Sequence, residues 1–522
     1  MTPAARENAM ETQVLIVGAG PTGLALAVWL ARLGVSFRII DRNDGPAPFS
    51  RALGVHARTL EFYRQLGFAE AAIAGGVIVP SINLWTRGRR VASVPFRNAG
   101  EGMTPYPFVL DFAQDRHERL LIDVLGVSGV TVERRMELAG LAQDDDGVTA
   151  TIRMESGSTM RCRCRYLAGC DGAHSTVREA AGVTFGGGTY EHLFYVADVA
   201  GRGPAVDQGI HVDLDESDLL AIFDMKDSHH VRLVGTVRAG AEVDANRDRL
   251  TFDDVSQRPI SELHLEVERV NWFSTYRVHH RVANRFRVGR AFLLGDAAHV
   301  HSPVGAQGMN TGIGDAVNLS WKLAAVLSGG ASSTILDTYE EERVAFARRL
   351  VATTDRAFEI ASRSSRLAAV VRTRVFPMLV RVLFRSAAAR RLLFRTVSQL
   401  SIHYRRSALS LGSTGTVRGG DRLPWVTADS MGGGDNYEAL TTLDWQVHVY
   451  GTPTGTVREA CDQLGLPLHI FGWRSAARKA GLTRNALYLV RPDGYVAWVG
   501  DHTGIGLRDA LTRWLGGRSG SP

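Results

Sequence analysis

Residues 13–41 constrain this chain more than any other stretch. Gln13 to Val17 is an apolar run of strand length, and Gly18-Ala19-Gly20-Pro21-Thr22-Gly23 follows it. Leu24, Leu26, Leu30 and Leu33 then recur at helical spacing up to Gly34, and Ser36 to Ile40 forms a second strand-like run that ends at Asp41. A strand running through GxGxxG into a helix is half of a doubly wound parallel sheet. The first glycine allows the tight turn, the second lets a pyrophosphate reach the backbone, and the third lets the helix pack closely. The helix N-terminus favours the phosphates. An acid about 20 residues further on binds an adenosine ribose, a task for which Asp41 is placed, with Arg42 beside it. This fingerprint does not separate FAD from NAD.

A second run, Gly295 to Leu323, reads as the other half of a cofactor site. Ala291 to Leu294 is strand-like and ends at Gly295-Asp296, so Asp296 stands at a strand's carboxyl end, where open α/β sheets bind ligands. A ribityl or ribose hydroxyl is its natural partner. Pro303, Gly305 and Gly308 disfavour an early helix, whereas Gly312 to Leu327 has helical spacing through Ala316, Leu319, Leu323 and Val326. A glycine loop opening a helix presents N–H groups to negative charge, which makes Gly308-Met309-Asn310 candidates for the anionic edge of a reduced flavin. Between these runs, strand-like Tyr166 to Gly169 delivers Cys170-Asp171-Gly172-Ala173-His174. Three separate pieces thus converge on one long dinucleotide.

The pattern GDAAHxxxPxxxQGMNTGxxDAxNLxWKL from Gly295 resembles the GD motif of FAD-dependent aromatic hydroxylases, the single-component flavoprotein monooxygenases. Asp171 to Arg178 resembles their DG motif, and Gln114 to Leu121 their QxxxExxL segment. Ala306 stands where the family usually has a second glycine. The LVRPDGYVAW run, Leu489 to Trp498, resembles the thioredoxin-like C-terminal domain of phenol and polyketide hydroxylases. The resemblance implies bound FAD, with Arg51 and Gln114 beside it, backbone near Leu138 flanking the adenine, and Asp171 and Asp296 in contact with it. It also implies Pro303 against the ring where oxygen reacts and Met309-Asn310 near the N1 edge. NADPH or NADH would be a transient hydride donor and O2 a co-substrate, the oxygen passing from a flavin C4a-hydroperoxide to a phenolic or polycyclic polyketide ring. No residue can be named as catalytic base.

The implied architecture is α/β: a Rossmann-like FAD-binding domain, a mostly β substrate-binding layer and a C-terminal thioredoxin-like domain. Residues 1–185 form the first, with 75–110 lending strands to the substrate layer. Residues 186–289, with alternating apolar and polar positions and an expected hairpin in Leu219 to Val237 around Asp227-Ser228, form the second. Phe223 and Met225 are its candidate pocket residues together with Pro303, core packing being the ordinary role of the first two. Residues 290–408 carry the GD motif and a helical region. From Leu409 to Gly434 the composition turns to Gly, Ser and Thr, as in a linker, and residues 409–522 form the tail domain.

At 522 residues the chain is long enough for two or three domains. Its net charge of +6 is almost wholly arginine, because the lysines are Lys226, Lys322 and Lys479 alone. The charge is scattered, without the interleaved aromatics of a nucleic-acid groove. Arg363 to Arg406 reads as helices whose arginines snorkel over apolar residues, without need of a membrane. Cys162, Cys164, Cys170 and Cys461 offer no disulfide framework, zinc spacing or redox pair near the first glycine motif, which disfavours a disulfide reductase. No signal peptide or membrane span is legible, so a cytoplasmic protein without stable membrane association is expected, acting on a small aromatic substrate as a monomer or homodimer. Two alternatives stay open: a monooxygenase that inactivates a rifamycin- or tetracycline-type antibiotic, and a non-catalytic FAD-binding scaffold.

Overall fold

The structure is a computed structural model that describes residues 10–46, 52–206, 209–214, 219–226, 229–237, 250–302, 305–362, 371–427 and 434–515. Its first sheet is built on Met10–Val17, which pairs in parallel with Phe37–Asp41 on one side and Thr159–Gly169 on the other. Ala291–Leu293 continues the parallel set beyond Thr159–Gly169. The order therefore brings the carboxyl ends of residues 17, 41, 169 and 293 to one edge, although the chain visits them far apart. Such strands are apolar on both faces because helices cover them; Val14, Leu15 and Ile16 are wholly buried, as are Leu24, Leu26 and Leu30 of the helix Pro21–Arg32.

The helix Gln307–Leu327 crosses Pro21–Arg32 closely and begins five residues before the expected Gly312. Ala306 takes a left-handed conformation, φ 52°, as its N-cap, and Gly308 and Gly312 lie within the helix. Gly312 serves packing there: a Cβ would fall 2.2 Å from Thr22 Oγ1. A glycine that periodicity places at the helix start is thus a contact point between helices.

The second sheet has eight strands, in the order His299–Val300, Glu266–Ala283, Phe185–Arg202, His230–Val237, Leu220–Asp224, Ile210–Asp213, Ser81–Thr86 and Arg89–Pro95. The last two are the strands that residues 75–110 were expected to lend. Leu220–Asp224 and His230–Val237 pair antiparallel as the expected hairpin requires, while its turn at Asp227-Ser228 lies outside the described residues. One face buries Tyr195, Ala197, Val199, Ile222, Val231 and Leu233 in a core of its own.

The tail sheet runs Leu468–Phe471, Gln446–Tyr450, Leu487–Val490, Val496–Gly500, with the first pair parallel and the others antiparallel. Helices Gly455–Leu464 and Leu507–Thr512 pack on it. This is the thioredoxin-like order. The stretch that composition reads as a linker is in part folded onto this sheet. Ser413–Thr414 pairs with Val417–Arg418, Leu411 N donates to Ala497 O at 2.8 Å, and Gly420 N to Val496 O at 2.6 Å. Its glycines serve close approach, since a Cβ on Gly412 would fall 2.1 Å from Val499 O. A second difference concerns the arginine-rich helices. Pro377, Val380 and Phe394 are buried as snorkelling predicts, but Met378, Leu379, Val382 and Leu383 are 68%, 58%, 60% and 57% exposed.

Candidate functional site

Gly18, Asp41, Arg42, Leu138 and Asp171 line one cleft of about 200 Å³ at the carboxyl edge of the parallel sheet. Asp41 is held there by Ala19 N, which donates to its Oδ2 at 2.6 Å, and by Asn43 N to its Oδ1 at 2.8 Å. The carboxylate so fixed keeps further lone pairs for hydroxyl donors. Leu138 is buried in the strand Met136–Gln143 that forms the cleft's outer wall. Asp171 does a different job from a free ligand acid: it accepts from Ser175 Oγ at 2.6 Å and Val177 N at 3.1 Å, ordering the turn into Thr176–Ala180. Burial pushes its carboxyl pKa upward, against the pull of those donors.

The three glycines of the first motif divide by what surrounds them. A Cβ on Gly18, which sits at φ +100°, would fall 2.4 Å from Cys170 O, and one on Gly23 would fall 1.9 Å from Gly18 O. Those two are required by the fold. A Cβ on Gly20 would meet no protein atom within 4 Å, and no side chain caps the helix that begins at Pro21. The space above Gly20 and the uncapped N-terminus fit a pyrophosphate. Gly20→Val is therefore expected to leave the fold and thermal midpoint intact while lowering flavin retention by about tenfold or more, read from the absorbance ratio of purified protein. Loss of solubility together with flavin would show instead that Gly20 serves the fold.

Gly295 and Thr22 join the second motif to the first, because a Cβ on Gly295 (φ +58°) would fall 2.6 Å from Thr22 Oγ1. Asp296 is exposed in the 3₁₀ turn Gly295–Ala297. The motif's second acid, Asp315, to which the sequence reading gave no role, supports this turn: it accepts from Gly295 N at 2.9 Å, and its carboxylate also pairs with His299 at 2.8 Å and with the Arg343 guanidinium. Burial raises the Asp315 carboxyl, but Arg343 and His299 outweigh it and hold the pKa below the usual carboxylate value. Arg178, also missed, ties the two aspartate motifs together by donating to Ala297 O at 3.0 Å and Ala173 O at 2.8 Å.

Asn310 is fully engaged through its side chain. Its Nδ2 donates to Gly54 O at 2.8 Å and Ala306 O at 2.9 Å, and its Oδ1 accepts from His56 N at 2.9 Å and Thr59 Oγ1 at 2.7 Å. What this position offers a ligand is backbone at an uncapped helix start, with Gly305 exposed, Gly308 and Met309 half-buried beside it, and His301 nearby. His301 Nδ1 donates to Ser302 O at 2.8 Å, so Nε2 is the acceptor of a neutral ring, and burial drops its pKa to about 4. Gln114 uses its Nε2 on Glu118 at 2.8 Å and its Oε1 on Ala52 N at 3.4 Å, bracing the loop at Ala52 against the helix Gln114–Val127. Arg51 and Pro303 lie outside the described residues.

Phe223 pairs in register with Arg232 and is half-buried, and Met225, also half-buried, follows on the same alternation. Arg232 is a third feature the sequence hid: its guanidinium grips Asp198 at 2.6 and 2.7 Å and reaches Ala52 O at 3.4 Å, bridging the second sheet to the loop at residues 52–54. At the same seam stands Asp111, in a two-residue strand paired with Gly54 and Val77. It is buried, its Oδ2 has no hydrogen-bond partner, and burial followed by the charge of Asp224 pushes its carboxyl up to about 8 despite Arg232.

Residues 11–354 match the family model described as FAD binding domain, and residues 417–517 that described as aromatic-ring hydroxylase, C-terminal. The chain belongs to the FAD-dependent aromatic hydroxylases. Its relatives include the 6-methylpretetramide 4-monooxygenase of Streptomyces rimosus, 38% identical over 77% of this chain and 71% of the other. The rifampicin monooxygenase of Rhodococcus hoagii is 31% identical over 97% and 98% of the two chains. Among solved structures, the anhydrotetracycline hydroxylase of Streptomyces rimosus superposes with a TM-score of 0.77 at 30% identity, covering 97% of this chain and 99% of that one. This hydroxylase is thus an FAD-dependent aromatic monooxygenase. Among the described residues there is no grouping of side chains suited to a metal ion and no helix long and apolar enough to cross a membrane.

Proposed function

We propose that this enzyme hydroxylates a polycyclic aromatic polyketide, consuming NADPH or NADH and O2. The observation that carries the reading is the near full-length likeness to the anhydrotetracycline hydroxylase, seconded by the identity to the 6-methylpretetramide enzyme. Bound FAD would supply the redox chemistry of this reading, hydride acceptance and oxygen activation. The protein's part is to bind, orient and exclude water. Gly18, Gly20, Pro21, Thr22 and Gly23 would seat the pyrophosphate, Asp41 the ribose with Arg42 beside it, and Leu138 would wall the adenine. Asp171 would act through the turn it orders, Asp296 and Gly295 through the ribityl chain. Arg51, Gln114, Pro303, Gly305, Gly308, Met309 and Asn310 would surround the ring system.

The substrate would lie between that ring and the sheet face bearing Phe223, Met225 and Arg232. Arg232, paired with Asp198, would set a rigid, hydrogen-bonding edge on that face. The full-length likeness to the rifampicin monooxygenase favours a second reading, inactivation of an antibiotic by the same chemistry.

Both are tested by the rate at which NADPH bleaches the flavin band without oxygen, with and without a panel of phenols, polyketide intermediates and rifamycins. Acceleration of at least about tenfold by one class is expected and names the substrate. Failure of NADPH and NADH alike to reduce the flavin would move the protein to the scaffold reading.

A further inference from the structure

The segment after residue 370 has a surface unlike the rest of the molecule. In the helix Phe376–Leu383 and the residue after it, Pro377, Val380 and Phe384 turn inward, against the edge strand Arg89–Pro95. Val375, Met378, Leu379, Val382 and Leu383 form a second apolar row at i, i+3, i+4, i+7, i+8, and all five are exposed. A helix that buries one apolar row and presents another has been built for two surfaces. Arg374, Arg381 and Arg385 flank the outer row.

Beside it, Arg90, Arg381, Arg385 and Arg390 line an open cleft of about 570 Å³ with no acid among the described residues of its wall. Arg390 is set there by hydrogen bonds to Phe384 O at 2.6 Å and Arg385 O at 3.1 Å. No aspartate or glutamate occurs in the sequence between Glu359 and Asp421. Uncompensated arginine around a protruding apolar row is complementary to one kind of surface, apolar within and anionic at its boundary. A second copy of the chain is a poor occupant, because a two-fold contact would set arginine against arginine.

We propose that this face docks the enzyme reversibly on an anionic lipid bilayer, the row Val375 to Leu383 entering the acyl boundary and the arginine cleft seating headgroup phosphates. The docking is peripheral and salt-sensitive. It holds the enzyme where apolar polycyclic substrates concentrate, yet does not depend on which substrate is used.

The test is co-sedimentation of the flavin-loaded enzyme with vesicles of phosphatidylcholine alone or doped with phosphatidylglycerol, at low and high salt. Binding to the doped vesicles only, released by salt, is expected. Arg381→Gln with Arg385→Gln should lower the partition coefficient about 25-fold, roughly fivefold per arginine. Leu379→Asp with Leu383→Asp should abolish binding while flavin content and thermal midpoint stay unchanged, both side chains being exposed. Absence of binding to doped vesicles overturns the proposal, as does binding that neither variant weakens. Light scattering that shows a dimer split by the apolar variant, without vesicle binding, would assign the face to self-association instead.

Discussion

Arg491→Ala is expected to cost about 3–5 kcal/mol of stability, the usual result of stripping one partner from a buried ion pair. Arg491 is wholly buried, and its guanidinium donates to Glu342 at 2.7 and 3.1 Å and to Asp493 at 3.0 and 2.5 Å. Glu342 also receives Lys322 Nζ at 2.9 Å and Asn318 Nδ2 at 2.6 Å, while Asp493 receives Trp321 Nε1 at 3.1 Å. Two buried carboxylates thus balance two buried cations where the GD-motif helix, the helix Asp337–Ser362 and the tail's Arg491-to-Gly494 turn meet. Burial raises the Glu342 carboxyl, but Arg491 and Lys322 more than reverse that and hold it far below its usual range. Burial draws Lys322 down to about 8 against the opposing charge of Glu342.

Without Arg491, one lysine faces two acids in the dark of the core. The tail should then loosen from the flavin domain, lowering the denaturant midpoint and flavin retention together. Arg491→Lys should rescue little, since an ammonium cannot reproduce the fork. Glu342→Gln added to Arg491→Met should cost less than the sum of the single changes, because removing both charges avoids the unpaired one. A midpoint unchanged in Arg491→Ala would sink this account of the tail's docking.

Asp111→Asn is expected to stabilise the enzyme at alkaline pH and flatten its stability profile. The folded-state carboxyl, at about 8 against 3.8 for an ordinary aspartate, binds its proton more tightly than the unfolded chain does. The contribution is therefore fully present below about pH 4 and lost as pH rises through 8, the sign set by linkage. A difference of this size corresponds to something on the order of 6 kcal/mol. Asparagine mimics the neutral acid at every pH, so its thermal midpoint should exceed the wild type's at about pH 9 and match it near about pH 4. Parallel profiles for the two proteins would mean that Asp111 does not carry a raised pKa. The position matters because Asp111 and Arg232 meet where the loop at residues 52–54 joins the second sheet, so the same variant reports whether that seam tightens when neutral.

Much of this architecture could be read from residue order, and the parts that could not share a cause. The first strand, helix and second strand lie where periodicity and turn chemistry put them, as do the tail strands Leu468–Phe471 and Leu487–Val490. Those signals act over a few residues, and the sequence displays them directly. The roles of glycines stayed hidden where their reason was distant: Gly312 answers to Thr22, and Gly412 to Val499. The supporting acids and arginines were invisible for the same reason. Asp315 with Arg343, Glu61 with Arg422 and Glu342 with Arg491 are separated by 28, 361 and 149 residues, and no local pattern marks a charge that will be buried against a partner so far along the chain. The outward apolar row of Val375 to Leu383 has the same periodicity as a core helix; only packing shows which of its two rows meets the protein. The sequence alone therefore determined the elements, the glycine turns and the family, because these rest on local sterics and motif spacing. The tertiary structure decided which acids support and which face the cleft, how the tail is bolted on, and which surface is left bare, because burial and charge pairing are properties of the assembled chain.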